Sequence, residues 1–250
     1  MFFRIAKITL CAIAILTGFA IIGLFTRPLL DAAKVSDSKS DSVIPQNCGA
    51  GIAFAMLGGY RTLLADFVWI KGYIDWERQD LSGCVSAIDL ATTLDPDSVF
   101  YWRFGAGIIA FDTPHWILRK LGTSDPSRQA AVKRRQGIQA IKFLDKALTR
   151  LPNNTELILQ KGQIAISIGD FKLAEECYAK VVSVPDPSVF SRRIYAAVLE
   201  RNGKFAQAKE ILEKILGETE KDSPLVPILK KQIGTLQNLI EKTSAKKADE

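Results

Sequence analysis

The chain has 250 residues, room for one large domain or two small ones, and its 48% apolar and 24% charged content is ordinary for a globular protein. The formal charge of +6 is spread along the sequence and does not interleave with aromatics, which argues against a nucleic-acid stacking surface. One histidine and no cysteine pair at ligand spacing argue against zinc. Without a phosphate loop, nucleophile elbow or metal-binding helix motif, no enzyme and no cofactor are expected.

Arg4 and Lys7 precede a charge-free run over residues 8–26, closed by Arg27-Pro28. That length is close to the roughly 20 residues a helix needs to cross hydrocarbon. A cleaved signal peptide has a shorter apolar core and a small-x-small site after it. Here Asp31 stands where a small residue should be, in Asp31-Ala32-Ala33. Residues 1–28 are therefore expected to be an uncleaved signal-anchor held in the lipid bilayer by residues 8–26. Arg4, Lys7 and the amino terminus favour a cytoplasmic N-terminus, against Arg27, Lys34 and Lys39 on the other flank. The remainder is then expected outside a bacterial inner membrane.

Residues 29–47, with their Ser/Asp/Lys-rich centre, read as a flexible linker. From Cys48 the pattern is helical throughout, with no hairpin signal. Cys48 and Cys84 could bridge in an oxidising compartment, though buried small residues are the simpler account.

"MLGGYRTLLADFVWIKGYIDWERQD", residues 56–80, is dense in aromatics. Trp69, Tyr73 and Trp76 fall at i, i+4 and i+7 and so share a helix face. Either they pack on the short apolar segment over residues 48–57, or they contact a partner. Asp66, in "LLADFVWI", would be costly unpaired in apolar surroundings, so Arg61 or Arg103 is expected to pair with it. His115 reads as a solvated loop residue, and the basic run from Lys133 to Gln136 as the solvated face of a long helix.

The most informative feature is a period. Ala140, Ala174 and Ala208 are spaced by 34 residues, as are Gly169 and Gly203, and Phe171 and Phe205. Each Ala is followed four residues later by Leu144, Tyr178 or Leu212. Gly162 sits where two helices would cross tightly. Cys84, Ile88, Ala91 and Pro96 repeat the pattern 56 residues before Ala140, Leu144, Ala147 and Pro152, which implies an insertion of 22 residues. Its second part begins a long helix at Asp125-Pro126, an N-cap followed by proline at the first helical position.

This pattern resembles the tetratricopeptide repeat (TPR) family, in which small residues mark close helix crossings and proline stops the second helix. The resemblance implies an all-α fold, a TPR-type α-solenoid over residues 48–243. Its units would be 65–98, 99–154 with the insertion, 155–188 and 189–222. A capping helix over 224–242 and a charged tail over 244–250 complete it. Arg61, Asp66, Ala140, Gly162, Ala174, Tyr178 and Ala208 would have structural roles. The resemblance further implies non-covalent binding of a protein or peptide, with Trp69, Tyr73, Trp76, Arg103, Gln160, Gln163 and Arg193 lining the concave surface. The opening Gly58, Gly59, Tyr60, Arg61, Ala65, Asp66 and Trp69 is also similar to a set of bacterial membrane-anchored TPR proteins of undefined function. That similarity implies an envelope location and no known reaction. With the repeats it implies a scaffold or assembly factor of the envelope, the alternatives being a self-associating structural protein and, behind it, an enzyme with an unrecognised site near Asp66.

Overall fold

The computed structural model describes residues 60–248. The expected membrane anchor, the linker, Cys48 and the apolar segment over 48–57 lie outside these residues. The described part falls within the compact unit Leu57–Glu250.

Helices α1 (Arg61–Glu77) and α2 (Leu81–Leu94) form the first antiparallel pair. Helix α3 (Val99–Gly107) continues through a π-helical turn, Ile108–Asp112, into α4 (Thr113–Leu121). Then come the long α5 (Pro126–Arg150) and the pairs α6 (Thr155–Ser167)/α7 (Phe171–Val182) and α8 (Val189–Arg201)/α9 (Phe205–Glu218). Helix α10 (Leu225–Ala248) packs on α9. No strand occurs among the described residues, and the stacked pairs form an α-solenoid. No helix among them is long and apolar enough to cross a membrane.

Local chemistry sets the boundaries. The side chains of Asp80, Asp125, Asn154, Asp170 and Ser188 accept hydrogen bonds from backbone N–H groups of the turn that each begins. Each such cap stabilises by about 1 kcal/mol. The turn between paired helices needs a left-handed residue, and Gly169 and Gly203 supply it at φ 76°. In the first pair Gln79 occupies the equivalent position at φ 56°, and its side-chain oxygen accepts a 2.7 Å hydrogen bond from Arg119 of α4.

Close crossings are built from small residues. Ala140, Ala174 and Ala208 are fully buried. A Cβ at Gly162 would lie 3.0 Å from the Tyr178 ring, and one at Gly72 would lie 2.8 Å from the Cβ of Ala87. The largest buried cluster joins Cys84 and Ile88 to Trp102, Trp116, Phe143, Leu144, Leu157 and Ile164, tying the first three pairs together. The inserted α4 contributes Trp116 to it. A second cluster joins Leu199, Leu212 and Ile215 to Leu229 and Leu236 of α10.

Helix α1 begins at Arg61, four residues before the expected start of the first unit at Ala65. The insertion is helical, with α4 ending at left-handed Gly122. Helix α10 runs to Ala248, through much of the segment read as a tail.

The stack is open at α1. Phe67 is 61% exposed, whereas its register equivalents Tyr101, Leu157 and Ser191 are 3%, 0% and 5% exposed. Ile74, 42% exposed, corresponds to fully buried Ile164 and to Val198 at 2%. These positions pack on the preceding pair in later units, and α1 has no preceding pair among the described residues.

Candidate functional site: an aromatic cavity between α1, α2 and α3

Trp69, Tyr73 and Trp76 of α1 line one cavity of about 290 Å³, completed by Cys84 and Ile88 of α2 and by Phe100, Phe104, Ile108 and Asp112. Tyr73 and Trp76 stack with centroids 5.6 Å apart, and Trp69 meets Phe100 edge-on at 5.4 Å. Tyr73, Phe100 and Phe104 form an exposed rim, while Cys84 and Ile88 close the floor.

Asp112 enters this wall through the π-turn. Proline at 114 has no N–H and crowds the carbonyl four residues back, so an α-helical turn there is strained. Instead the N–H of Thr113 bonds the carbonyl of Ile108, one residue further than an α-helix allows. The hydroxyl of Thr113 bonds the carbonyl of Ile109. The Asp112 carboxylate then accepts the Trp76 indole N–H at 3.0 Å.

The carboxylate in apolar surroundings is not Asp66. Asp66 is exposed, and its partner is the Tyr101 hydroxyl, which donates at 2.5 Å. Burial first, and then this bond and the Asp66 charge, raise the Tyr101 phenol well above its ordinary range. The buried acid of α1 is Asp75, 8% exposed and 2.6 Å from Lys71 Nζ. Arg103, expected as an Asp66 partner, pairs with Glu156 of α6 at 3.6 Å and lies over the Phe104 ring at 4.7 Å. Cys84 is a buried thiol, pushed up to about 11 by burial and then by Asp75, Asp112 and Asp80.

The remaining surface residues fall on successive first helices. Gln160 and Gln163 are half-buried on α6, with Gln160 facing Gly107 of α3. Arg193 is half-buried on α8, and its Nε has no hydrogen-bond partner among the described residues. His115 is exposed, as are Lys133, Arg134 and Arg135. Among the described residues no group of three His, Cys, Asp or Glu side chains could hold a metal ion.

Phe100, Phe104 and Asp112 were not singled out from the sequence. The two phenylalanines carry a readable signal, an i, i+4 pair on the first helix of the second unit. Asp112 carries none, because the π-turn shifts its register.

Residues 155–185 match the tetratricopeptide repeat family. No curated protein matches the chain in sequence. Among solved structures, a tetratricopeptide repeat protein from Parabacteroides merdae is 16% identical with a TM-score of 0.34, over 74% of this chain and 77% of that one. The assembly chaperone of RpL4 (Acl4) is likewise 16% identical with a TM-score of 0.34, over 80% of this chain and 91% of its own. Residues 155–185 thus form one unit that matches the tetratricopeptide repeat family, and helix pairs stack on either side of it.

Proposed function

We propose that the chain is a non-catalytic scaffold that binds a protein partner through the first-helix surfaces of its repeats, centred on the aromatic cavity of α1 and α3. The observation that carries this is the exposed aromatic rim, Tyr73, Phe100 and Phe104, around a concave apolar pocket. Exposed aromatics gathered at a pocket are the residue types that anchor partners. Arg103, Gln160, Gln163 and Arg193 extend the surface along α3, α6 and α8. Residues 8–26 hold the chain in a bacterial inner membrane, with the repeats on the outer side, so the partner belongs to an envelope complex. The support for this placement is the charge-free run and its flanking Arg4 and Lys7.

Recovery of partners from cross-linked membranes tests the reading. The Trp69→Ala/Arg193→Ala double variant loses a partner that the wild type retains. Unchanged recovery overturns the surface assignment.

Self-association is the second reading, favoured by the exposed Phe67, Ile70 and Ile74 of α1. Sizing of the full chain in detergent separates the two, since a monomer excludes it.

A further inference from the structure

The cavity is electronegative as well as aromatic. Asp112 is the one acidic side chain among the described lining residues, and one of its oxygens accepts the Trp76 indole N–H at 3.0 Å. Among the described residues no lysine or arginine forms an ion pair with Asp112. Lys71 pairs with Asp75 at 2.6 Å and Arg103 with Glu156 at 3.6 Å, and no lysine or arginine is among the described residues that line the cavity. Asp75 and Asp80 add negative charge that reaches the floor, where the Cys84 thiol is held protonated to about 11, by burial first.

An occupant with only apolar atoms would leave the remaining acceptor capacity of Asp112 shut away from water, at a cost. A cation with an apolar stem satisfies the carboxylate and lies against the faces of Trp69, Tyr73 and Trp76. The volume of 290 Å³ sits at the lower limit of small-molecule pockets, suited to one long side chain.

We propose that this cavity takes the basic side chain of a peptide partner, its charge against Asp112 and its methylenes between the aromatic rings. The inference rests on the protein-binding reading and adds the chemistry of the anchor residue.

The test is tryptophan fluorescence of the full chain in detergent micelles, titrated with acetyl-Ala-Ala-Lys-Ala-Ala-amide and with its norleucine counterpart. Trp69 and Trp76 line the cavity, whereas Trp102 and Trp116 are core residues, so a change reports on the cavity. The lysine peptide should give a saturable change and bind about tenfold more tightly than the norleucine peptide. Asp112→Asn keeps an acceptor for Trp76 and should abolish that preference with the melting temperature unchanged. No saturable change up to about 10 mM, or norleucine binding as tightly as lysine, overturns the proposal. So does a preference that survives Asp112→Asn. If that variant folds poorly, the lysine-to-norleucine ratio of the wild type decides. Partner loss in the Trp69→Ala/Arg193→Ala cross-linking experiment without any lysine preference leaves the scaffold standing and removes only the basic anchor.

Discussion

Gly162→Ala isolates what holds the helix pairs together. In an open helix, replacing Gly by Ala stabilises by about 0.5–1 kcal/mol, because the unfolded chain loses less entropy on folding. At 162 the added methyl would lie 3.0 Å and 3.1 Å from ring carbons of Tyr178 and 3.1 Å from the Cβ of Cys177. Neither neighbour can turn aside: the Tyr178 ring is 1% exposed, and the Cys177 Cβ is fixed to the α7 backbone. Relief requires moving α7 from α6, and such overpacking costs about 1–3 kcal/mol. The net is a loss of up to about 2.5 kcal/mol, or up to about 10 °C in melting temperature for a domain of this size. Gly234→Ala is the control. It lies at an exposed position in the middle of α10 with nothing within 4 Å of its added Cβ, and it should stabilise by about 0.5–1 kcal/mol. Thermal and urea unfolding of both variants should move in opposite directions. A Gly162→Ala protein stabilised as much as Gly234→Ala would refute the close-crossing account.

Leu157→Ala, at a fully buried position, should cost about 2–5 kcal/mol in urea unfolding, and Ile74→Ala, at the exposed register equivalent of Ile164, under about 1 kcal/mol. Equal losses would mean that the α1 face is covered. Stability should fall at alkaline pH. Cys84 rises from 9.0 to about 11 and Tyr178 from 10.0 to about 12, both chiefly by burial, so the native state keeps protons the unfolded chain has released. Their contribution is complete below pH 9 and declines as pH rises through 11 and 12, a trend that urea midpoints against pH will show. Glu175 is held below its ordinary range by hydrogen bonds from Lys204 first and also from Asn202, so it stabilises above pH 4.5 and that contribution fades as pH falls. Glu175→Gln should cost about 1 kcal/mol at pH 7 and much less at pH 3.

The stacking was legible in the sequence because its causes are local and periodic. Ala140, Ala174 and Ala208 recur every 34 residues where only a small side chain fits, and Asp125-Pro126 marks the start of α5 by cap chemistry. The cavity was half legible. The i, i+4, i+7 spacing of Trp69, Tyr73 and Trp76 says that they share a face, but not what faces them. Asp66 was misjudged from its sequence neighbours. Nine residues on a 3.6-residue helix are two and a half turns, which puts the two acids on opposite faces, so Asp66 points to water while Asp75 points inward. The π-turn at 108–112 was not legible, because its cause, Pro114, follows it in the chain. With it went the position of Asp112.

Photo-cross-linking tests the central claim most directly. Tyr73→p-benzoylphenylalanine places the probe on the cavity rim, and Leu90→p-benzoylphenylalanine places it on an exposed apolar site of α2. After irradiation in intact cells, the position-73 chain should form an adduct with one partner protein, and the position-90 chain should not. Equal adducts from both positions, or none from position 73, would contradict a partner seated at the aromatic cavity.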